Sequence, residues 1–223
     1  MRTSIVIAAY NEEKYIDACI KGLLNQTIPA DEIIIVNNNS KDKTEDIIKK
    51  YPVTLINEKV QGIIPARNTG LDLAKYELIL RTDADTIVPS DWVERMSTFF
   101  ETNQCDAAVG LISYIGSLPQ VNQQIFTNCL EGIKKLIGTY PLIGPNMALT
   151  NDIWKKIRNN VCSDGKKVHE DIDLAMHINE IGGVIMYDKT NCTITSKRRI
   201  LYQPHSFFLE YPHRLLKMKI AHQ

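Results

Sequence analysis

The sequence predicts an α/β protein with a mostly parallel central sheet, and three observations carry that prediction. Short apolar runs alternate with amphipathic stretches through the first half of the chain, which is the pattern of parallel strands joined by crossover helices. Three of those runs break into polar clusters, AYNE, NNNS and DADT, as strand ends do where loops converge on a ligand. The 223 residues, 44% hydrophobic and 23% charged, suit one well-cored soluble domain.

Each element follows from a local signal. Residues 4–9 form an apolar run that reads as a buried strand. Ile16, Cys19, Ile20, Leu23 and Leu24 then recur at helical spacing, so a helix with one apolar face follows. EIIIVNN, from Glu32, is a second strand. Asp42 with Glu45 three positions later resembles a capping box opening a helix through Tyr51. VTLINEK is a third strand, Pro65 suits the first turn of a helix running toward Lys75, and residues 77–81 make a fourth strand. Ser90 stands before the Trp92, Val93, Met96, Phe99, Phe100 stripe of another helix.

From Asp106 the rhythm loosens. DAAVGLISYI reads as a strand, and residues 121–137 as a long helix with Ile125, Cys129, Ile133 and Leu136 inward. NMALT is a short strand and Asn151 a helix cap. Residues 171–181 form a helix ended by Gly182 and Gly183. GVIMYD and TITSK are two further strands before a tail ending HRLLKMKIAHQ. The expected organisation is a single domain over residues 1–223. Residues 1–105 are its ligand-binding half, 106–200 a second half and 201–223 a tail.

Composition removes several function classes. Lys plus Arg is 26 and Asp plus Glu is 26, so no bulk field gathers nucleic acid or acidic lipid, and an anionic ligand must be held locally. Five scattered cysteines without a CxxC pair argue against a disulfide framework and a zinc site, and fit a reducing compartment. No run of 18 apolar residues predicts a membrane span, and the opening MRTSIVIAAYNEE is too short in its apolar part for an export signal.

In open sheets of this type ligands sit beyond the carboxyl ends of the strands, so Ala9 to Glu12, Asn37 to Asn39, and Asp83 with Asp85 should share one rim. Two carboxylates one residue apart repel, and gain nothing unless a cation sits beside them. A Mg²⁺ or Mn²⁺ ion held by one or two carboxylates and open to phosphate oxygens is the arrangement of phosphate-handling enzymes. Against this, Asp83 and Asp85 either cap the following helix or face water.

SIVIAAYNEE, VNNNSKDKT, ARNTGLDLA, LRTDADT and HEDIDLAMHINEIGG, in this order, resemble the successive motifs of family 2 glycosyltransferases over residues 3–185. The resemblance implies a GT-A fold, a Rossmann-like three-layer α/β/α sandwich, and an inverting nucleotide-diphospho-sugar transferase that uses Mg²⁺ or Mn²⁺. It assigns the donor's base and ribose to Ala9, Tyr10, Glu12, Asn37 and Asn38, and the diphosphate or the order of the pocket to Arg67. Ala8 stands where proline is usual, and Asn37 and Asn38 where a carboxylate is common. Asp83 falls on the position contacting ribose or metal-bound water, and Asp85 on the direct metal ligand. HED makes Asp171 the general base and Glu170 a neighbour that touches acceptor or orients the base.

Other assignments stay open between alternative readings. Asn146, in GPNMAL, faces the donor sugar or is a buried structural amide. Trp154 stacks on an acceptor sugar or, at helical spacing with Ile153 and Ile157, belongs to the core. His205 ligates the metal or is an ordinary surface histidine. Lys197, Arg198 and Arg199 close over the diphosphate or form a solvated turn. Leu215, Leu216, Met218 and Ile220, among basic residues, meet a membrane bearing a lipid-linked acceptor, pack on the chain, or join copies in a homo-oligomer. The expected partners are the donor and a carbohydrate or lipid-linked acceptor, with no nucleic acid, in the cytoplasm or at the membrane's inner face. The rival functions are a sugar-phosphate nucleotidyltransferase, which would want a glycine-rich loop that AAYNEE lacks, and a non-catalytic binding module.

Overall fold

The computed structural model describes residues 1–116, 119–164, 168–198, 201, 214, 215 and 218. The chain opens with β1 (Thr3–Ala9), α1 (Ile16–Leu24), β2 (Glu32–Asn37), α2 (Thr44–Ile48), β3 (Thr54–Asn57), α3 (Ile63–Leu73), β4 (Leu78–Arg81) and β5 (Thr86–Ile87). It continues with α4 (Trp92–Thr102), β6 (Ala107–Tyr114), α5 (Pro119–Ile137), β7 (Met147–Thr150), α6 (Asn151–Ile157), α7 (Glu170–Glu180) and β8 (Ile185–Thr195). The strands make one sheet in the order β3-β2-β1-β4-β7-β6-β8-β5. Four of its pairings are parallel and three antiparallel. The first half is the expected parallel unit, and β7, running back between β4 and β6, makes the whole sheet mixed.

The central strands are apolar on both faces because helices cover both faces. On one side Val6, Ile34, Val36 and Ile79 pack against Leu71 of α3, Trp154 of α6 and Ile178 of α7. On the other, Ile5, Ile7, Ile35 and Leu80 meet Ile20 of α1 and Trp92 and Met96 of α4. Alternate residues of one strand thus feed two separate cores, and α3 lies unusually close. A Cβ on Gly70 would stand 2.4 Å from Val6 Cγ1, so only glycine lets that helix approach.

Several expectations are corrected. No capping box forms at α2: Asp42 accepts from Thr44 N at 3.0 Å, but Glu45 turns to Asn37, Asn57 and Lys49. Thr150, not Asn151, caps α6, accepting from Ile153 N at 3.2 Å, while Asn151 is buried and donates to Ala74 O and Tyr76 O. Among the described side chains of α5 Leu130 is the buried one, with Phe126 packed on the core, whereas Ile125 is 64% exposed and Cys129 is exposed. GVIMYD and TITSK belong to one strand, β8, whose register on β6 jumps from Gly110↔Asp188 to Leu111↔Cys192. The intervening Lys189, Thr190 and Asn191 form a bulge. Residues 86–87, unanticipated as a strand, form the short β5 along β8.

In the tail, Met218 is buried against Ile172 and Met176 of α7, with Leu215 beside it. Those two side chains pack on the chain instead of meeting a membrane, and Leu216 and Ile220 lie outside the described residues. Among the described residues no helix is long and apolar enough to cross a membrane.

Candidate active site

The ends of β1 and β2 turn together. Asn11 and Asn39 adopt left-handed backbone (φ 55° and 59°), which asparagine tolerates better than most residues. The two turns interlock, with Asn11 N donating to Ser40 Oγ at 3.1 Å and Lys41 N donating to Asn11 Oδ1 at 2.8 Å. Between them and the start of α3 opens a cavity of about 460 Å³. Ala9, Tyr10, Glu12 and Asn38 line one part of it, Gln61 another, and Arg198 closes it beside Glu12.

Asn38 builds the wall of this cavity. Its Nδ2 donates to Glu58 O and Val60 O, and its Oδ1 accepts from Gly62 N at 2.8 Å and Gln61 Nε2 at 3.2 Å. Asn37 does not line the cavity. It is 3% exposed and donates to Asn57 Oδ1 at 2.8 Å and Glu45 Oε2 at 3.2 Å. Both amides expected at the base are therefore engaged within the chain. Among the described residues Gln61, at the cavity edge, uses its amide nitrogen on Asn38 and has no partner for its carbonyl.

Glu12, Asp83 and Asp85 share one electrostatic neighbourhood. Burial pushes the Glu12 carboxyl above its usual range, Arg198 opposes that, and Asp85 and Asp83 add to it. The thiol of Cys19 beneath them is pushed far up by burial and by the same three carboxylates. Arg198 is the counter-ion: it grips both oxygens of Glu12, and its Nε lies 3.0 Å from Asp85 Oδ2. Ser196 donates to the same Asp85 oxygen.

Asp83 faces a second group of charges. Its Oδ1 is 3.0 Å from a terminal nitrogen of Arg67, whose other terminal nitrogen meets Glu170. Arg81, 1% exposed at the end of β4, takes the two oxygens of Glu170 at 2.7 and 2.9 Å. Burial opposes the charge on Glu170, but Arg81 and Arg67 outweigh it and hold the carboxyl below its usual range. Burial likewise opposes the charge on Arg67, and Glu170, Asp83 and Asp171 outweigh it. Asp171 accepts from Gly144 N at 3.1 Å and is partly open to solvent.

Gly144 sits on top of this group. A Cβ there would lie 2.9 Å from Arg67 Nη2, 3.0 Å from Arg81 Nη2 and 3.1 Å from Asp83 Oδ1. One guanidinium, that of Arg67, thus joins the Asp83 end of the DAD segment to the residue preceding Asp171.

The donor set suits a hard divalent cation. Carboxylate oxygens are its preferred ligands, and Glu12, which burial and the neighbouring Asp85 and Asp83 charges disfavour as an anion, is in the condition a cation relieves. At present the guanidiniums of Arg198 and Arg67 supply that positive charge. Among the described residues no three His, Cys, Asp or Glu side chains converge as a complete metal cage. An ion held here would therefore rely on one or two carboxylates plus water and phosphate oxygens.

Two further predicted site residues, Asn146 and Trp154, stand elsewhere. Asn146 is fully buried and spends its amide inside the fold, donating to Leu111 O at 2.8 Å and Asn191 O at 3.0 Å and accepting from Trp92 Nε1 at 2.9 Å. Nothing of it is left for a sugar. Trp154 is 2% exposed in the core, its Nε1 donating to Asp72 at 3.0 Å, so it offers no stacking face to an acceptor. Glu170, expected to touch acceptor or orient the base, is clamped by two arginines beside Asp171. His205 lies outside the described residues. Sequence reasoning missed Arg81 and Gly144. The one available signal was a charge closing the otherwise apolar LILR, a position the strand's burial carries into the interior.

Residues 4–151 match the family model described as Glycosyl transferase family 2. An uncharacterized glycosyltransferase of Haemophilus influenzae is 32% identical over 167 residues, 71% of this chain and 46% of that protein. The poly(ribitol-phosphate) beta-glucosyltransferase of Bacillus spizizenii is 36% identical over 124 residues, 52% of this chain and 20% of that protein. The chain therefore spans less than half the length of these relatives. In fold it resembles the mannosyltransferase PcManGT of Pyrobaculum calidifontis in complex with GDP-Man and Mn²⁺ (TM-score 0.72, 19% identity, 99% of this chain and 73% of that one). It also resembles residues 1–349 of S. aureus TarS in complex with UDP-GlcNAc (TM-score 0.68, 21% identity, 89% of this chain and 59% of that one).

Proposed function

The chain belongs to glycosyl transferase family 2, and from that premise we propose that it transfers a sugar from a nucleoside diphosphate to an acceptor hydroxyl with inversion at the anomeric carbon. The observation that supports this reading is the continuity of the site. A cavity of nucleoside size at the ends of β1 and β2 leads through Glu12 and Arg198 to Asp85, and from Asp83 through Arg67 to Glu170 and Asp171.

The base and ribose lie in the cavity against Ala9 and Tyr10, with Asn38 shaping the wall and Gln61 offering its carbonyl. Asp85 and Asp83 would hold Mg²⁺ or Mn²⁺, with His205 as a further candidate ligand, and a bound ion would offset charge on the departing diphosphate. Arg198 moves from the carboxylates to the diphosphate oxygens, which a guanidinium recognises through two parallel hydrogen bonds.

Asp171 removes the proton from the acceptor hydroxyl. The oxygen so freed bonds to the anomeric carbon from the face opposite the diphosphate. The bond from that carbon to the bridging oxygen breaks, and the nucleoside diphosphate leaves with the electron pair. Holding donor and acceptor in line supplies a large part of the acceleration. The acceptor is a carbohydrate or lipid-linked hydroxyl, and the reaction belongs to a reducing, cytoplasmic compartment, in keeping with five cysteines that are all free.

The test is a thermal-shift screen of nucleotide sugars with Mn²⁺, followed by transfer assays on the stabilising donors with and without EDTA. Metal-dependent release of nucleoside diphosphate, with a product of inverted anomeric configuration, is the expected result. Release of pyrophosphate would indicate a nucleotidyltransferase, and binding without release a non-catalytic module; either outcome refutes the reading.

A further inference from the structure

Arg81 is the least exposed charged side chain at the site, and the mechanism above gives it no task. It lies at the end of a central strand, paired with Val6 of β1 on one side and Met147 of β7 on the other. A guanidinium at 1% exposure loses its hydration, a penalty of several kcal/mol that only well-made partners offset. Its partner is Glu170, held at both oxygens, 2.7 and 2.9 Å away, in the fork-to-fork geometry that fixes orientation as well as distance. Glu170 is the first residue of α7, and Asp171 is the next.

The opposite side of the same contact is equally constrained. Gly144, whose absent Cβ leaves room for the terminal nitrogens of Arg81 and Arg67, donates its N–H to Asp171 Oδ2 at 3.1 Å. Asp171 is therefore gripped between a backbone amide resting on the two guanidiniums and a helix turn tied to them. Nothing in donor binding requires this, since Arg81 does not line the cavity.

We propose that Arg81 is a positioning residue: by clamping Glu170 it fixes the first turn of α7 so that Asp171 stays against the Gly144 amide, aimed at the reaction centre. The clamp also withdraws Glu170 from acceptor contact. The catalytic part of this inference rests on the reading of Asp171 as the base; the structural part does not. Loosening the clamp displaces Asp171 while Arg67 keeps its contact with Asp83, and a misplacement of about 1 Å costs roughly a hundredfold in rate.

The test uses two variants of the full chain. Arg81→Lys keeps the charge and loses the fork. Arg81→Met/Glu170→Gln removes both charges together and leaves Arg67 its contact with Asp83, because a single change would strand a buried charge, whereas replacing both partners is often tolerated. The first readout is hydrogen exchange at the Gly144 amide, which reports the bond to Asp171 whether or not a substrate is known. The second is release of nucleoside diphosphate from UDP-glucose, UDP-GlcNAc or GDP-mannose with Mn²⁺, analysed as kcat and donor KM.

In whichever of the two variants folds, exchange at Gly144 accelerates at least about tenfold, and kcat falls about a hundredfold while donor KM stays within about twofold. Native exchange at Gly144 in a folded variant overturns the proposal, as does a donor KM that shifts as much as kcat. If the native chain releases no nucleoside diphosphate, the proposed function fails, and the Gly144 amide still decides whether Arg81 holds Asp171.

Discussion

The Nε of Arg198 lies 3.0 Å from Oδ2 of Asp85 while the rest of its guanidinium holds Glu12. A side-chain cation thus stands at the carboxylate proposed to receive a metal ion, and on that proposal the two compete. Arg198→Gln should tighten binding of Mn²⁺ in the absence of donor by roughly fivefold, about 1 kcal/mol, as expected for loss of one partly exposed ion pair. Calorimetric titration with Mn²⁺ measures it, and an unchanged or weaker affinity would remove Arg198 from that role.

Asp171→Asn should abolish transfer, by about a hundredfold to ten-thousandfold for loss of a general base, with donor affinity nearly unchanged. Parallel measurement of kcat and of donor binding checks this. A loss of donor affinity comparable to the loss of rate would mean that Asp171 serves the donor.

Glu170 predicts a pH signature. Its carboxyl is held below the ordinary value of 4.5, so the stability it contributes is fully present above that value and is lost as pH falls through the depressed one. Glu170→Gln should destabilise the protein by about 3 kcal/mol at pH 7 by stranding two guanidiniums. Thermal unfolding of native and variant chains should converge as the pH is lowered below 4.5. A gap that does not narrow as the pH falls below 4.5 would contradict the ion-pair account.

Gly144→Ala tests the packing over the charges. The added methyl would lie about 3 Å from atoms of Arg67, Arg81 and Asp83, and overpacking at such a site costs about 1–3 kcal/mol. A lowered melting temperature with reduced turnover is expected, and a neutral substitution would show that the arginines yield freely.

Asn146→Ala should act on stability and leave donor KM alone in the folded fraction. It strands Trp92 Nε1, Leu111 O and Asn191 O, and leaving even one such buried group unsatisfied costs about 1–3 kcal/mol. Chemical denaturation alongside donor kinetics separates this from a direct contact with sugar.

The sequence made legible whatever depends on neighbours along the chain. The parallel strands announce themselves as apolar runs, and DAD and HED as charges grouped within three residues. What it hid depends on residues brought from far away. Asn146 reads equally as sugar ligand or buried amide until Trp92, 54 positions off, supplies the indole N–H that satisfies it. Arg81 looks like the polar end of a strand until Glu170, 89 positions later, explains why a charge can be interior there. On α5 two adjacent apolar stripes compete, and the choice of Phe126 and Leu130 over Ile125 and Cys129 is made by the helix's seat on the core, with Thr127 reaching Tyr187 and Glu131 reaching Tyr140. Lys189 to Asn191 interrupts an apolar pattern as a turn would, yet the strand continues beyond it.

That interruption in β8 has a mechanical consequence. Ahead of it the strand runs level with the start of β6; beyond it the same strand delivers Thr195, Ser196 and then Arg198 to the DAD segment. Because side chains alternate sides along a strand, a deletion in the insertion that slipped the pairing beyond it by one residue would invert Cys192 to Thr195. The chain leading to Ser196 and Arg198 would then leave the strand from the wrong face, away from Asp85, even though neither had been altered. The pairing that resumes after residues 189–191 therefore sets the phase of this edge of the site, more than 100 positions from the aspartates in sequence.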